Sequence, residues 1–197
     1  METISNENDA MKLLYQFKPF APQTAVILLD NMNAGSLKTC DNKSVGVIIR
    51  DLNGKFALLK RARFPVGIAP VAGHIDDHGT PSQAAIAETR EEIGIIIDED
   101  DLRKTSIQNK LINNICRRRG GDHHYWWIYE VNDSEGEIYP DPDETKGAKW
   151  YTSEELHDLA GRTREYLSGK IDKEDWEANP GLEEIWLTFL SEMGYLE

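Results

Sequence analysis

A chain of 197 residues with 40% hydrophobic composition is long enough for one domain with additions and apolar enough to build a core. Its net charge of -13 and pI near 4.8 exclude general binding to nucleic-acid backbones or anionic membranes, and leave small nucleotides accompanied by Mg²⁺ within reach. With neither a signal-peptide apolar region nor a run of about 18 apolar residues, a cytoplasmic protein off the membrane is expected.

Residues 1–10 are polar and expected to be disordered, while Ala25-Val26-Ile27-Leu28-Leu29 reads as a strand or buried segment. From Ser44 to Phe64 the pattern predicts two strands joined at Leu52-Asn53-Gly54-Lys55, because Asn-Gly accepts the backbone angles of a tight hairpin. A helix follows. Thr80 offers a capping hydroxyl, Pro81 suits the first turn, Gln83 closes a capping box, and Gly94 marks the end where a left-handed residue is usual.

On that helix, at about 100° per residue, Glu88, Glu91 and Glu92 share an arc of about 100°, with Ile86, Thr89 and Ile93 on the other side. Neighbouring carboxylates raise one another's proton affinity unless a cation neutralises them, and hard oxygen ligands suit Mg²⁺ or Mn²⁺ rather than zinc. Spacing alone is equally compatible with a solvated acidic face.

Beyond the acidic run Asp98-Glu99-Asp100-Asp101, read as a solvated turn, strands are expected over residues 106–116 and 125–131, joined through Arg117-Arg118-Arg119-Gly120-Gly121-Asp122. Trp126 and Trp127 alternate across their strand, so one packs in the core and the other is free to stack on a base. Prolines and a glycine make residues 140–147 a loop, after which Lys149-Trp150-Tyr151 leads into a helix capped at Thr152. Asn179-Pro180-Gly181 then precedes an amphipathic helix with Leu182, Ile185, Trp186, Phe189 and Met193 on one face, which packs on the core or pairs two copies in a homodimer.

No zinc site is expected. Cys40 and Cys116 have no metal-ligand spacing, His74 and His78 fall in a loop, and the adjacent His123 and His124 point to opposite faces of a strand.

Gly73, Glu88, Glu91, Glu92, Gly94 and Ile95 carry a resemblance to the Nudix hydrolases, whose signature reads Gly, five residues, Glu, seven residues, then Arg-Glu-aliphatic-x-Glu-Glu-x-Gly-aliphatic. Three positions depart from it: Gly79 stands for the first Glu, Ala87 for the Arg, and Thr89 for the aliphatic. The stretch FALLKRAR with its following bend, and the strand-to-helix step over residues 149–156, resemble the family too. The resemblance covers residues 44–160, leaving 1–43 as an N-terminal extension and 161–197 as a C-terminal helical extension packed on the same domain. It implies an α/β/α sandwich with a mixed sheet between helices, where periodicity gives only α/β or α+β.

The resemblance further implies Mg²⁺ or Mn²⁺ held by Glu88, Glu91, Glu92 and the carbonyl of Ala72. Glu144 is the expected base that activates water, alongside Glu91 and Glu92 as catalytic groups; Asp141 and Asp143 compete for that role, as do Asp77 and His78, which with Asp76 are the candidates to stand in for the Glu missing at Gly79. Substrate phosphates are expected to meet Arg61, Arg63, Arg117 or Arg119, with Trp127 available to a base. The activity implied is cleavage of a phosphoanhydride bond in a nucleoside diphosphate linked to another group, or in a related organic polyphosphate. Two other readings compete. Gly79 and Ala87 motivate a catalytically impaired module that binds a nucleotide or metabolite, and a diphosphate isomerase on the same fold would need an additional catalytic cysteine or acid.

Overall fold

The computed structural model describes residues 38–76 and 78–196. The expectations for residues 1–10, for residues 25–29 and for Asp77 lie outside the described residues.

Strict alternation builds the sheet. In β1 (Lys43–Asp51), Val45, Val47 and Ile49 face one side while Gly46 and Ile48 face the other, and β2 (Phe56–Arg61) divides Ala57 and Leu59 from Phe56 and Leu58 in the same way. The hairpin between them closes at Asp51, whose carboxylate accepts from the N–H groups of Asn53 (2.9 Å) and Lys55 (2.8 Å), with Gly54 at φ +75°. Short strands β3 (Ile68–Ala69) and β4 (Val71–His74) follow, then helix α1 (Pro81–Ile93), β5 (Arg103–Ile112), β6 (His124–Ser134) and β7 (Thr145–Tyr151). Three helices finish the described chain: α2 (Ser153–Leu167), α3 (Lys173–Ala178) and α4 (Glu184–Glu192).

The strand path is β3-β2-β1-β6-β5, with β4 also on β1 and β7 also on β2. β1 runs parallel to β6 and antiparallel to β2 and β4, so the sheet is mixed. One face is covered by α1 over Val45, Val47, Ile49, Val71, Tyr129 and Val131. The other is covered by α2 and α4 over Ile48, Phe56, Leu58, Trp126 and Ile128. The result is the expected α/β/α sandwich. β5 lies three residues earlier than expected, at 103–112, because the chain leaves the sheet after Ile112 to form a separate turn around Cys116. The run 98–101 contains one exposed 3-10 turn, Glu99–Asp101.

The C-terminal helix packs on the chain's own core. Trp186 is fully buried, edge-on to Trp126 at 6.2 Å and to Phe189 at 5.7 Å. Gly46 makes room for it, since a Cβ there would sit 2.5 Å from the indole. The segment before α4 is stitched to β3, with Ile68 N–H donating to Gly181 O (2.8 Å) and Glu183 N–H to Ile68 O (2.9 Å). Among the described residues, no helix is long and apolar enough to cross a membrane. Trp186→Ala should lower the unfolding free energy by about 3–5 kcal/mol in urea titrations. A loss below about 1 kcal/mol would mean that α4 is not integral to the domain.

Candidate active site

Helix α1 is fixed at both ends by its own sequence. Thr80 Oγ1 accepts from Gln83 N–H at 3.3 Å, while the Gln83 side chain accepts from Thr80 N–H at 2.9 Å. At the other end Gly94, at φ +71°, donates its N–H to Arg90 O (3.1 Å). Ala84, Ala85, Thr89 and Ile93 are buried on the sheet side. Thr89 fits where the signature has an aliphatic residue because its hydroxyl is satisfied within the helix, donating to Ala85 O at 2.7 Å.

The carboxylates are pressed against β4. A Cβ on Gly73 would lie 1.7 Å from Glu88 Oε1, so only glycine lets the Glu88 side chain lie over the strand. One residue earlier, Ala72 N–H donates to Glu92 Oε2 at 3.0 Å. Glu92 is thereby 6% exposed on a helix face that spacing alone could have left in solvent. Gly79, where the signature has Glu, has φ +92°, a conformation in which a side chain is strained.

Glu144 reaches the same place through the loop before β7. Tyr139 N–H donates to Ile93 O (2.8 Å) and Asp141 N–H to Glu92 O (3.1 Å), so this loop docks on the C-terminal end of α1. Ala62 N–H then donates to Glu144 O at 3.2 Å, holding it at the end of β2. Carboxylate oxygens of Glu88, Glu92 and Glu144 lie within 4.8 Å of one another. Burial pushes Glu88 up to about 8, reinforced by the charges of Glu92, Glu91 and Glu144. Burial also raises Glu92, to about 7, against the pull of Arg61 and the Ala72 N–H. His78 Nε2 stands 3.5 Å from Glu88 Oε1.

These groups open on a cleft of about 690 Å³. Glu88, Glu91, Glu92, Glu144 and Ala72 line it, and Arg61, Arg63, Arg117 and Arg118 supply positive charge. Burial would raise Asp76, but its contacts with Arg118 and Lys38, each 2.7 Å, outweigh that and hold it at about 2. Asp76 thus braces the arginine loop rather than standing free in place of the missing Glu. Asp141 accepts from Asp143 N–H at 2.7 Å, which commits it to the turn, and neither is among the residues lining the cleft.

Two expected substrate contacts lie elsewhere. Arg119 is exposed and bridges Thr39 through its backbone, because the turn at residues 116–121 directs Arg117 and Arg118, not Arg119, toward the cleft. Trp127 lies on the α1 side of the sheet, in a separate depression with Ser82, Lys104 and Gln108, while Trp126 is 5% exposed in the core. Sequence reasoning also missed two features. Arg61 faces both Glu92 and the buried Glu183, and Cys40, His74, Cys116 and His124 converge with their ligand atoms within 4.8 Å. The second corrects the reading that these cysteines and histidines form no metal-competent group, since the fold joins residues that no local spacing relates.

The donor set fits Mg²⁺ or Mn²⁺. It offers carboxylate oxygens from Glu88 and Glu92 on the helix and from Glu144 on its loop, and burial, reinforced by neighbouring charges, raises the proton affinity of Glu88 and Glu92 in a way that a bound cation would relieve.

Comparison with known proteins gives the family. The NUDIX domain model matches residues 41–169. Similar solved structures include the Ap4A hydrolase of C. elegans in a binary complex, at 25% identity over 65% of this chain and 94% of that one, TM-score 0.44. A protein of Deinococcus radiodurans matches at 17% identity over 82% and 87%, TM-score 0.51, and a NUDIX-family hydrolase of Clostridium perfringens at 20% over 77% and 95%, TM-score 0.48. No curated protein matches by sequence. The chain belongs to the Nudix family of pyrophosphohydrolases.

The raised carboxyls make a pH prediction for protein without added Mg²⁺ or Mn²⁺. Their folded-state pKa values of about 8 and about 7 exceed the ordinary 4.5, so the folded state holds more protons. The site's contribution to stability is therefore full below about pH 4.5 and is lost as pH rises through about 7 to 8. Asp76, at about 2, acts in the opposite sense only below about pH 4. Between about pH 5 and pH 8 the melting temperature of Glu88→Gln should fall less than that of the wild type. Added Mg²⁺ should recover the wild-type loss at the upper end. Parallel slopes for the two proteins would refute the buried-charge account.

Proposed function

We propose that this chain is a Mg²⁺- or Mn²⁺-dependent hydrolase that cleaves a phosphoanhydride bond in a nucleoside diphosphate linked to another group, or in a related organic polyphosphate. The observation that carries the reading is the meeting of Glu144 with Glu88 and Glu92 in one cleft lined by arginines. Glu88, Glu91, Glu92 and the Ala72 carbonyl would hold the metal, which when bound would neutralise phosphate oxygens and acidify water. Arg61, Arg63 and Arg117 take the remaining phosphate oxygens, their planar forks orienting the anhydride. Glu144, exposed on its loop, accepts the proton of the attacking water as the new P–O bond forms. The bridging oxygen leaves with the electron pair of the broken bond on the departing phosphate, so one water yields two phosphate-bearing products. In this reading the enzyme works in the cytoplasm on small nucleotides, in keeping with a net charge of -13.

The loss of the signature Glu at Gly79 and Arg at Ala87 favours, as the second reading, a module that binds such a ligand without cleaving it. Arg61 answers part of that loss, since it supplies a positive charge to Glu92 from β2.

Purified protein with Mg²⁺ or Mn²⁺ and a panel of nucleoside diphosphate derivatives should release monophosphate from at least one. Glu91→Gln or Glu92→Gln should abolish that turnover with the fold retained. Glu144→Gln should lower kcat by about 10²–10⁴ with little change in metal affinity. A ligand that raises the melting temperature but is never cleaved would establish the binding module instead.

A further inference from the structure

We propose that Cys40, His74, Cys116 and His124 form a structural zinc site of the Cys₂His₂ type. Cys40 Sγ lies 3.7 Å from Cys116 Sγ, 3.3 Å from His74 Nε2 and 3.2 Å from His124 Nε2. A tetrahedral zinc with Zn–S of about 2.3 Å and Zn–N of about 2.0–2.1 Å has S···S edges of about 3.8 Å and S···N edges of about 3.6 Å. The three edges from Cys40 thus come within about 0.4 Å of those of a zinc tetrahedron, and all four ligand atoms lie within 4.8 Å of one another. A disulfide, with S–S of about 2.05 Å, is not formed at this separation.

The surroundings fit a metal rather than a chance meeting of side chains. His124, 1% exposed, has its Nδ1 at 3.2 Å from Asn114 O and 3.1 Å from Asn114 Oδ1. Both partners accept, so the proton belongs on Nδ1 and the Nε2 lone pair is aimed at the cluster. Trp126 Nε1 donates to the same Asn114 Oδ1 at 3.2 Å, which orients the amide. Each sulfur also accepts a main-chain N–H, Cys40 from Asn42 and Cys116 from Arg118, both at 3.3 Å, as suits a thiolate. Gly121 leaves the space clear, for a Cβ there would meet Cys116 Sγ at 2.2 Å and Cys40 Sγ at 3.2 Å.

The chemistry of the donors selects the ion. Thiolate and imidazole prefer zinc, whereas the neighbouring all-carboxylate group suits Mg²⁺ or Mn²⁺. On binding, each thiol gives its proton to solvent, and two thiolates with two neutral imidazoles balance the charge of Zn²⁺. All four positions are filled by protein, so the site is closed and its role is structural. It ties the segment at residues 38–42, the end of β4, the turn at residues 116–121 and the start of β6 into one unit. That turn carries Arg117 and Arg118 into the cleft, so zinc would set the position of its cationic wall.

The full chain, produced in zinc-supplemented medium and desalted, should carry about one zinc per chain by elemental analysis. Cys116→Ser and His74→Gln should each lower this at least about tenfold, while Glu88→Gln keeps it. Asn114→Ala should weaken zinc affinity by about 10- to 100-fold. If the cysteine variants do not fold, the wild-type protein still decides. Grown with Co²⁺, it should show the visible bands of a tetrahedral centre and a thiolate-to-cobalt charge-transfer band. Its 2 cysteines are the whole complement of the chain, so thiol reactivity, low with zinc and released by a chelator, reads this site alone. The proposal is overturned if the wild type takes up no zinc, if its zinc is lost with Glu88 rather than Cys116, or if the intact mass reports a Cys40–Cys116 disulfide. Metal content is read without substrate, so this result stands apart from that of the hydrolase assay.

Discussion

Everything at the cleft depends on how closely α1 approaches the end of β4. Gly73 has no side chain where Glu88 lies, and the N–H of Ala72 is bonded to Glu92, so two carboxylates are buried against a strand rather than left in water. Such burial is unfavourable for like charges, and it is the source of the raised proton affinity of both. The helix tolerates it because its ends are fixed independently, by the Thr80 capping box and the left-handed Gly94, and because Ala84, Ala85 and Ile93 anchor its other face. Packing anchors one side of α1 and the carboxylates occupy the other.

The counter-charge arrives from outside the signature. Arg61 at the end of β2 faces Glu92 and also Glu183, a carboxyl that burial raises to about 7 while Arg61 pulls it down. Glu183 precedes α4, and the main chain of Gly67 passes so close that a Cβ on it would sit 2.5 Å from Glu183 Cα. The C-terminal segment therefore shares with the site the positive charge of Arg61, which acts on both Glu183 and Glu92. The segment that packs on the core through Trp186 thus also places a carboxyl in the field of Arg61.

What was legible in the sequence was what depends on neighbours in the chain. Asn53-Gly54, Thr80 to Gln83, Gly94 and Thr152 act over a few residues, and each appears in the structure as its local chemistry dictates. The alternation of β6 likewise placed Trp126 and Trp127 on opposite faces. It could not say which pocket Trp127 would meet, because that depends on where α1 begins relative to β6. Nor could spacing relate Cys40 to His124, separated by 84 positions, since a ligand group drawn from four strands and loops leaves no local period. The departures at Gly79 and Thr89 became intelligible only as a left-handed turn and a hydroxyl satisfied within its helix.

Three consecutive residues give the arrangement its economy. Ala72 offers its N–H to Glu92, Gly73 makes way for Glu88, and His74 turns its ring to Cys40. Because successive residues of a strand face opposite ways, one short β4 serves a hard, oxygen-only group and a soft, sulfur and nitrogen group without either intruding on the other. A divalent cation of either kind would thereby be sorted by donor chemistry over a distance of one residue. Displacing β4 would disturb both groups at once, so the proposed zinc, by holding His74 to Cys40, Cys116 and His124, would also hold Gly73 under Glu88. On this view the softer site has no part in the reaction; it keeps in register the strand on which the carboxylates rest.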